Sequence, residues 1–168
     1  MIQPADPPAQ SVEVAVEQDP QTQVPRARRF TSLERRTSYF LAKAALTATE
    51  LMDRALEQVG LRWRWYSVLV VISEIGPLSQ QELVERSTLD RTSMVALIDH
   101  LEGLRLVERR RNPADRRSNA VHITSAGVDM LDRAAVLVDA AEEELFGTLS
   151  GEEREQLFEV LSCLVLGT

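Results

Sequence analysis

The residues with the most to offer chemically are arginines. Eighteen arginines stand against a single lysine, Lys43. A guanidinium is a planar fork of donors that matches phosphate oxygens or the edge of guanine, whereas an ammonium is a point charge. Eight of the arginines fall between Arg86 and Thr124 together with five acids, a local net charge of +3. The rest of the chain holds eleven bases and twenty-one acids, net −10, so the whole carries −7. An acidic body with one basic patch suits nucleic acid, because counterion release depends on local charge.

Other chemistries have little to work with. The single cysteine, Cys163, forms no intrachain disulfide or cysteine metal cage, and its apolar neighbours Leu161, Leu164 and Val165 predict a buried structural thiol. With only His100 and His122, no metal site is expected. No nucleophile–base pair, metal-ligand spacing or phosphate-binding glycine loop appears, so neither an enzyme nor a cofactor is expected. Glu142, Glu143 and Glu144 read as a solvated helix face. No apolar run approaches the roughly 18 residues that cross a bilayer, and the acidic, proline-rich start is unlike a secretory leader. A reduced, cytoplasmic protein with no membrane partner is the expectation.

The arginine patch needs elements to position it. Residues 1–25 hold five of the seven prolines, four acids and no base, which predicts a disordered tail ahead of Arg26, Arg28 and Arg29. Thr31 and Glu34 fit a capping box opening a long helix, with Leu33, Phe40, Ala44, Leu51, Ala55 and Val59 on one face and Gly60 at its end. A second helix runs from about Arg64 to Ile75. Its stretch Val68 to Ile72 is apolar nearly all round, so it should be central.

Ser79-Gln80-Gln81-Glu82 is a capping box for a short helix to about Arg86. After a break at Ser87-Thr88-Leu89, Asp90 caps another, with Met94, Leu97, Ile98, Leu101 and Leu104 facing inward. Two helices joined by so short a turn form a helix-turn-helix. The segments 106–111 and 119–124 alternate in polarity around Asn112-Pro113, a hairpin with a basic tip, in other words a wing. Two helices close the chain. One spans about Ser125 to Phe146, with Val128, Leu131, Ala135, Val138 and Leu145 in a stripe. The other starts at the capping box Ser150 to Glu153 and carries Leu157, Val160, Leu161 and Leu164. Such stripes on terminal helices predict a helical homodimer interface.

At the level of motif, Gly76 to Gly127 resembles the MarR family of transcriptional regulators. The resemblance rests on Gly76-Pro77-Leu78-Ser79-Gln80-Gln81-Glu82-Leu83, Asp90-Arg91-Thr92, Leu101-Glu102, Leu106-Val107-Glu108-Arg109-Arg110, Pro113-Ala114-Asp115-Arg116-Arg117 and Ile123-Thr124-Ser125-Ala126-Gly127. It departs at Arg105, where the family usually has glycine. A left-handed backbone there costs on the order of 1 kcal/mol, unless the turn is reshaped around Gly103.

The expected fold is mainly α, a winged helix-turn-helix of about six helices and a two- to three-stranded wing. The expected division is a tail over 1–29, a dimerisation helix over 30–62, a DNA-binding domain over 63–124 and dimerisation helices over 125–168. A recognition helix reaches base edges in the major groove through its first turns. Arg91, Thr92, Ser93, Val95 and Ala96 are the candidates there. Many relatives carry arginine at the position of Ala96, which removes one polar contact here. The resemblance implies that Arg117 enters the minor groove from the wing tip, with Arg116 near phosphate and Asp115 orienting the wing. Ser79, Gln80, Arg86 and Arg110 are candidate phosphate contacts.

The resemblance also implies a small aromatic or phenolic effector, and Tyr39, Arg62, Trp63, Trp65 and Tyr66 are the candidate pocket. The function implied is a homodimeric, ligand-responsive repressor that binds double-stranded DNA at a pseudo-palindrome. The alternative is a winged-helix interaction module without DNA regulation.

Overall fold

The computed structural model describes residues 31–111 and 119–167. The tail over 1–29 and the wing-tip residues Asp115, Arg116 and Arg117 lie outside them. The elements are α1 (Thr37–Leu56), a short 3-10 turn (Glu57–Val59), α2 (Trp63–Ile75), β1 (Leu78–Ser79), α3 (Gln80–Glu85), α4 (Arg91–Gly103), β2 (Val107–Arg111), β3 (Asn119–Ile123), α5 (Ser125–Phe146) and α6 (Gly151–Leu166). The strands form an antiparallel sheet in the order β1-β3-β2. Leu78 faces Val121 across one ladder, and Arg109 faces Val121 across the other.

The core gathers around α2 and α4. Leu69, Ile72, Leu83, Met94, Ile98, Leu101, Val107 and Val121 are fully buried, joining the central helix, both helices of the helix-turn-helix and the sheet. Helix α2 is central, as its composition requires, with Val68, Leu69 and Ile72 buried. Leu104 departs from the expected inner face. Helix α4 stops at Gly103, so Leu104 is its C-cap and remains 46% exposed.

The first helix begins six residues later than the sequence predicts. The Thr31–Glu34 capping box does form, with the Thr31 N–H donating to Glu34 Oε2 at 2.8 Å. It closes only a turn, because Arg36 is extended (φ −96°, ψ 126°) and interrupts the helical backbone. The apolar face also divides. Leu51, Met52 and Leu56 are buried, with Ala55 and Val59 packed beside them. Leu33, Phe40 and Ala44 are exposed. Helix α5 meets the C-terminal part of α1, where Leu51 and Ala55 share a groove with Leu137 and Ala141.

Cys163 is exposed, a correction to the buried thiol that its neighbours suggested. The reason is that α6 buries no residue within its own chain. Arg154 tethers it, donating to both carboxylate oxygens of Glu143 at 2.8 Å and to the Phe146 carbonyl at 3.2 Å. Of its apolar stripe Leu157 and Leu161 are half-buried, whereas Val160 and Leu164 remain exposed.

Candidate nucleic-acid interface

The interface is built on two helix starts. Ser79 opens α3 with a reciprocal cap: its Oγ accepts from the Glu82 N–H at 3.2 Å, and Glu82 Oε2 accepts from the Ser79 N–H at 2.7 Å. The Ser79 N–H, and then the Ser79 hydroxyl, which donates to the same oxygen at 2.7 Å, hold the Glu82 carboxyl below its usual range. Asp90 opens α4 by accepting from the Ser93 N–H at 3.0 Å, and the Ser93 hydroxyl donates to its other oxygen at 2.6 Å. The Asp90 carboxyl is likewise held low, first by the Ser93 hydroxyl and then by the Ser93 N–H. Each negative cap also suits the positive end of its helix dipole.

These caps sort the residues picked out on α4. Arg91, Thr92, Val95 and Ala96 are exposed on its first turns. Ser93 is not equivalent to them. It is half-buried and its hydroxyl is engaged with Asp90. Arg91 borders a hollow of about 290 Å³ shared with Ser79, Gln80, Gln81, Arg109 and Asn119, between the helix starts and the sheet. In that hollow Gln80 Nε2 is buried and has no hydrogen-bond partner among the described residues. Ser79 is committed to its capping box, so the two neighbours differ in what they offer an incoming phosphate.

The three arginines of β2 part company. Arg109 turns toward α4 and pairs with Asp99, at 2.5 Å, and with Glu102. Arg110 pairs with Glu108 on its own strand while remaining exposed. Arg111 is exposed at the strand end. Sequence reading missed Asp99 and Glu102, although their i, i+3 spacing on a helix followed by an arginine-rich strand was the available signal.

The turn after α4 holds this unit together. Helix α4 ends in a Schellman arrangement, with the Leu106 N–H donating to the Leu101 carbonyl and the Arg105 N–H to the Glu102 carbonyl. The residue that takes the left-handed position is Arg105, at φ 60°. The turn is therefore not reshaped around Gly103, which remains helical.

The five residues proposed to form one effector pocket are spread over three places. Trp63 and Tyr66 stack along α2, with ring centroids 5.7 Å apart. Burial pushes the Tyr66 phenol up, and Asp139, Glu142 and Glu74 add to the shift. Trp65 lies instead against His100 of α4, at 4.2 Å between centroids. Tyr39 sits on the exposed part of α1 with Phe40 edge-on and Lys43 Nζ 5.5 Å from its ring. Arg62 pairs with Asp53 at 3.6 Å. Asp53 was not singled out from the sequence, yet its Oδ1 accepts from the Trp63 N–H at 2.6 Å and caps α2 from α1.

Two concave regions border these residues. A cleft of about 280 Å³ lies between α2 and the turn of the helix-turn-helix, lined by Trp63, Arg64, Val71, Leu83, Arg86 and Leu89 among others. A second hollow, of about 450 Å³, takes in Arg62 and Trp65 with Asp53, Arg54 and Glu57. Among the described residues no group of three or more His, Cys, Asp or Glu side chains could hold a metal ion. No helix among them is long and apolar enough to cross a membrane.

Comparison with known proteins bears on the whole arrangement. A profile of the MarR family matches residues 59–118. The transcriptional regulator HosA of Escherichia coli O111:H- is 30% identical over 96 residues, 57% of this chain and 71% of HosA. The structure of CouR from Rhodococcus jostii RHA1 bound to p-coumaroyl-CoA is 28% identical and superposes with a TM-score of 0.73 over 83% of this chain and 98% of CouR. A variant of Escherichia coli MarR in complex with operator DNA is 22% identical, with a TM-score of 0.71 over 76% of this chain and 91% of that one. With the helix-turn-helix, the antiparallel wing strands and the flanking long helices all in place, the chain belongs to the MarR family of winged helix-turn-helix transcriptional regulators.

Proposed function

We propose that two copies of this chain form a repressor that reads a pseudo-palindromic DNA site and releases it on binding a small aromatic ligand. The observation that carries the DNA half is the first two turns of α4. Arg91, Thr92, Val95 and Ala96 stand exposed there beside an arginine-rich strand. In the major groove Arg91 forks onto guanine or grips phosphate, Thr92 bonds a base or phosphate, and Val95 and Ala96 meet thymine methyls. Gln80, Arg86 and Arg110 supply phosphate contacts, and Ser79 does so only through its position at the helix start. Arg117 takes the minor groove, Arg116 the adjacent phosphate, and Asp115 orients the wing. Two such units address half-sites about one helical turn apart.

The exposed apolar parts of α1 and α6 support the dimer. Residues 30–62 and 125–168 supply its helices around the DNA-binding unit of 63–124. The effector is assigned to the Trp63 cleft in preference to the Arg62–Trp65 hollow. Its floor of Val68, Val71, Leu83 and Leu89 is apolar, and it borders the turn that leads into α4. A ligand there favours one angle of the helix-turn-helix over another, which shifts the population away from the DNA-fitting geometry. The protein works in the cytoplasm on chromosomal DNA and carries out no catalysis.

The test is fluorescence anisotropy on the intergenic DNA upstream of the protein's own gene, with a scrambled duplex as control, at two salt concentrations. Wild type should bind that DNA well above the scramble, with affinity falling steeply as salt rises. Arg117→Ala should weaken binding. Equal affinity for both duplexes would favour the interaction-module reading. Quenching of Trp63 by aromatic acids, lost in Trp63→Phe, tests the ligand half.

A further inference from the structure

The outward line of α4 carries more than neutral and basic groups. At about 100° per residue, Thr92, Ala96 and Asp99 fall on one line, opposite the buried Met94, Leu97, Ile98 and Leu101. The Asp99 side chain is 60% exposed. A bare carboxylate on the line that faces phosphate weakens binding. This one is not bare. Arg109 reaches over from β2, and its Nη2 donates to Asp99 Oδ1 at 2.5 Å. Its Nη1 donates to Glu102, one turn further along α4, and the Arg109 N–H donates to the same carboxylate at 3.0 Å. Only 22% of the Arg109 side chain is exposed.

We propose that Arg109 is a positioning residue for DNA recognition: it screens Asp99 and Glu102 from phosphate and fixes the angle between the recognition helix and the wing. The proposal rests on the DNA-binding reading. A guanidinium that bonds two carboxylates on successive helical turns sets both the translation and the rotation of its strand against the helix. A lysine supplies the charge but not the fork. The wing strand grows from this anchored residue, so the anchor decides where the wing meets the minor groove when α4 is seated in the major groove. Pinning the two together makes the groove contacts depend on each other.

The test uses the duplex that the wild-type protein enriches from a randomised pool. Wild type, Arg109→Lys, Arg109→Gln, Asp99→Asn and the triple variant D99N/E102Q/R109Q are compared on it. Each is also measured on duplexes with single base-pair changes under α4 and under the wing. R109Q should lose about tenfold in affinity, because two carboxylates become bare. The neutral triple variant should regain most of that affinity, yet still tolerate base changes under the wing that wild type rejects. R109K should bind near wild-type affinity with the same loss of discrimination, and it carries the test should R109Q fail to fold.

Wild-type discrimination in R109K or in the triple variant would overturn the proposal. So would a change of preference in D99N confined to one cytosine under α4, which would make Asp99 a direct reader of the cytosine amino group. If wild type enriches no duplex at all, the DNA-binding reading itself falls and takes the proposal with it. Normal enrichment with unaltered R109K discrimination sinks the proposal alone.

Discussion

The hydroxyl of Thr124 donates to the carbonyl oxygen of Arg105 at 2.7 Å. That bond ties the first turn of α5 to the turn that ends α4, and it fixes the one described non-glycine residue with a positive φ. An L-residue in the left-handed region costs about 1–2 kcal/mol relative to its right-handed form. Glycine avoids that cost but loses more backbone entropy on folding. Arg105→Gly should therefore stabilise the protein by about 0.5–1 kcal/mol, read as a higher urea midpoint with an unchanged slope. A lower midpoint would mean that the Arg105 side chain contributes more than its backbone costs.

Gly127 is bound to the same junction by space. A Cβ there would lie 2.2 Å from the Leu106 carbonyl oxygen and 2.7 Å from Ile123 Cγ1. The carbonyl is already committed, accepting from the Thr124 N–H at 3.0 Å. It belongs to backbone held by the α4 turn, so it cannot swing away as a flexible side chain would. Gly127→Ala should destabilise by about 3 kcal/mol, the upper range for overpacking. Thermal unfolding would show it, and a melting temperature within a degree of wild type would contradict the close approach.

Much of this was legible in the sequence because it is local. The caps at Ser79, Asp90 and Ser150 need only a few residues, and each forms as read. The apolar spacing of Met94, Leu97, Ile98 and Leu101 marks one face of one helix, and all four are buried. What escaped was long-range or end-specific. Nothing local to Asp53 says that it caps α2 ten residues later. The box at Thr31 looks as good as the one at Ser79, yet the chain breaks at Arg36 and the box closes a turn. The aromatic cluster failed for a geometric reason. Trp63 and Trp65 are two apart on a helix and so point about 200° apart, one toward Tyr66 and the other toward His100.

The capping carboxylates give the protein an acid-sensitive side. Glu82 is held low by the Ser79 N–H and hydroxyl, Asp90 by Ser93, and Glu153 by the Ser150 N–H and hydroxyl. A folded-state pKa below the unfolded value means that the stabilisation is complete above the ordinary carboxylate range. It is lost as pH falls through that range to the lowered folded value. Stability should be flat near neutrality and fall on acidification. Glu82→Gln removes one titrating group, so its stability difference from wild type should change between pH 7 and pH 3. Urea midpoints at the two pH values measure this, and a constant difference would remove the cap at Glu82 as a cause.

The uncovered apolar surface makes the strongest demand. Phe158, Leu164 and Val165 are between 66% and 81% exposed on α6, and Phe40 and Leu46 are 48% and 64% exposed on α1. Leu46, Phe158, Leu164 and Val165 share no core among the described residues, and water penalises apolar area left open at this scale. A second copy laying α6 and the start of α1 against the same elements would cover them and would also bury Cys163. Sedimentation should therefore give a dimer for wild type. Leu164→Glu sets a charge in that seam and should shift the protein toward monomer, with a loss of operator affinity, because each half-site alone binds weakly. The thiol provides an independent reading: Cys163 should react slowly with a disulfide reagent in wild type and quickly in Leu164→Glu. A wild-type protein that sediments as a monomer, or a Cys163 that reacts at the rate of a small free thiol, would show that the seam faces water.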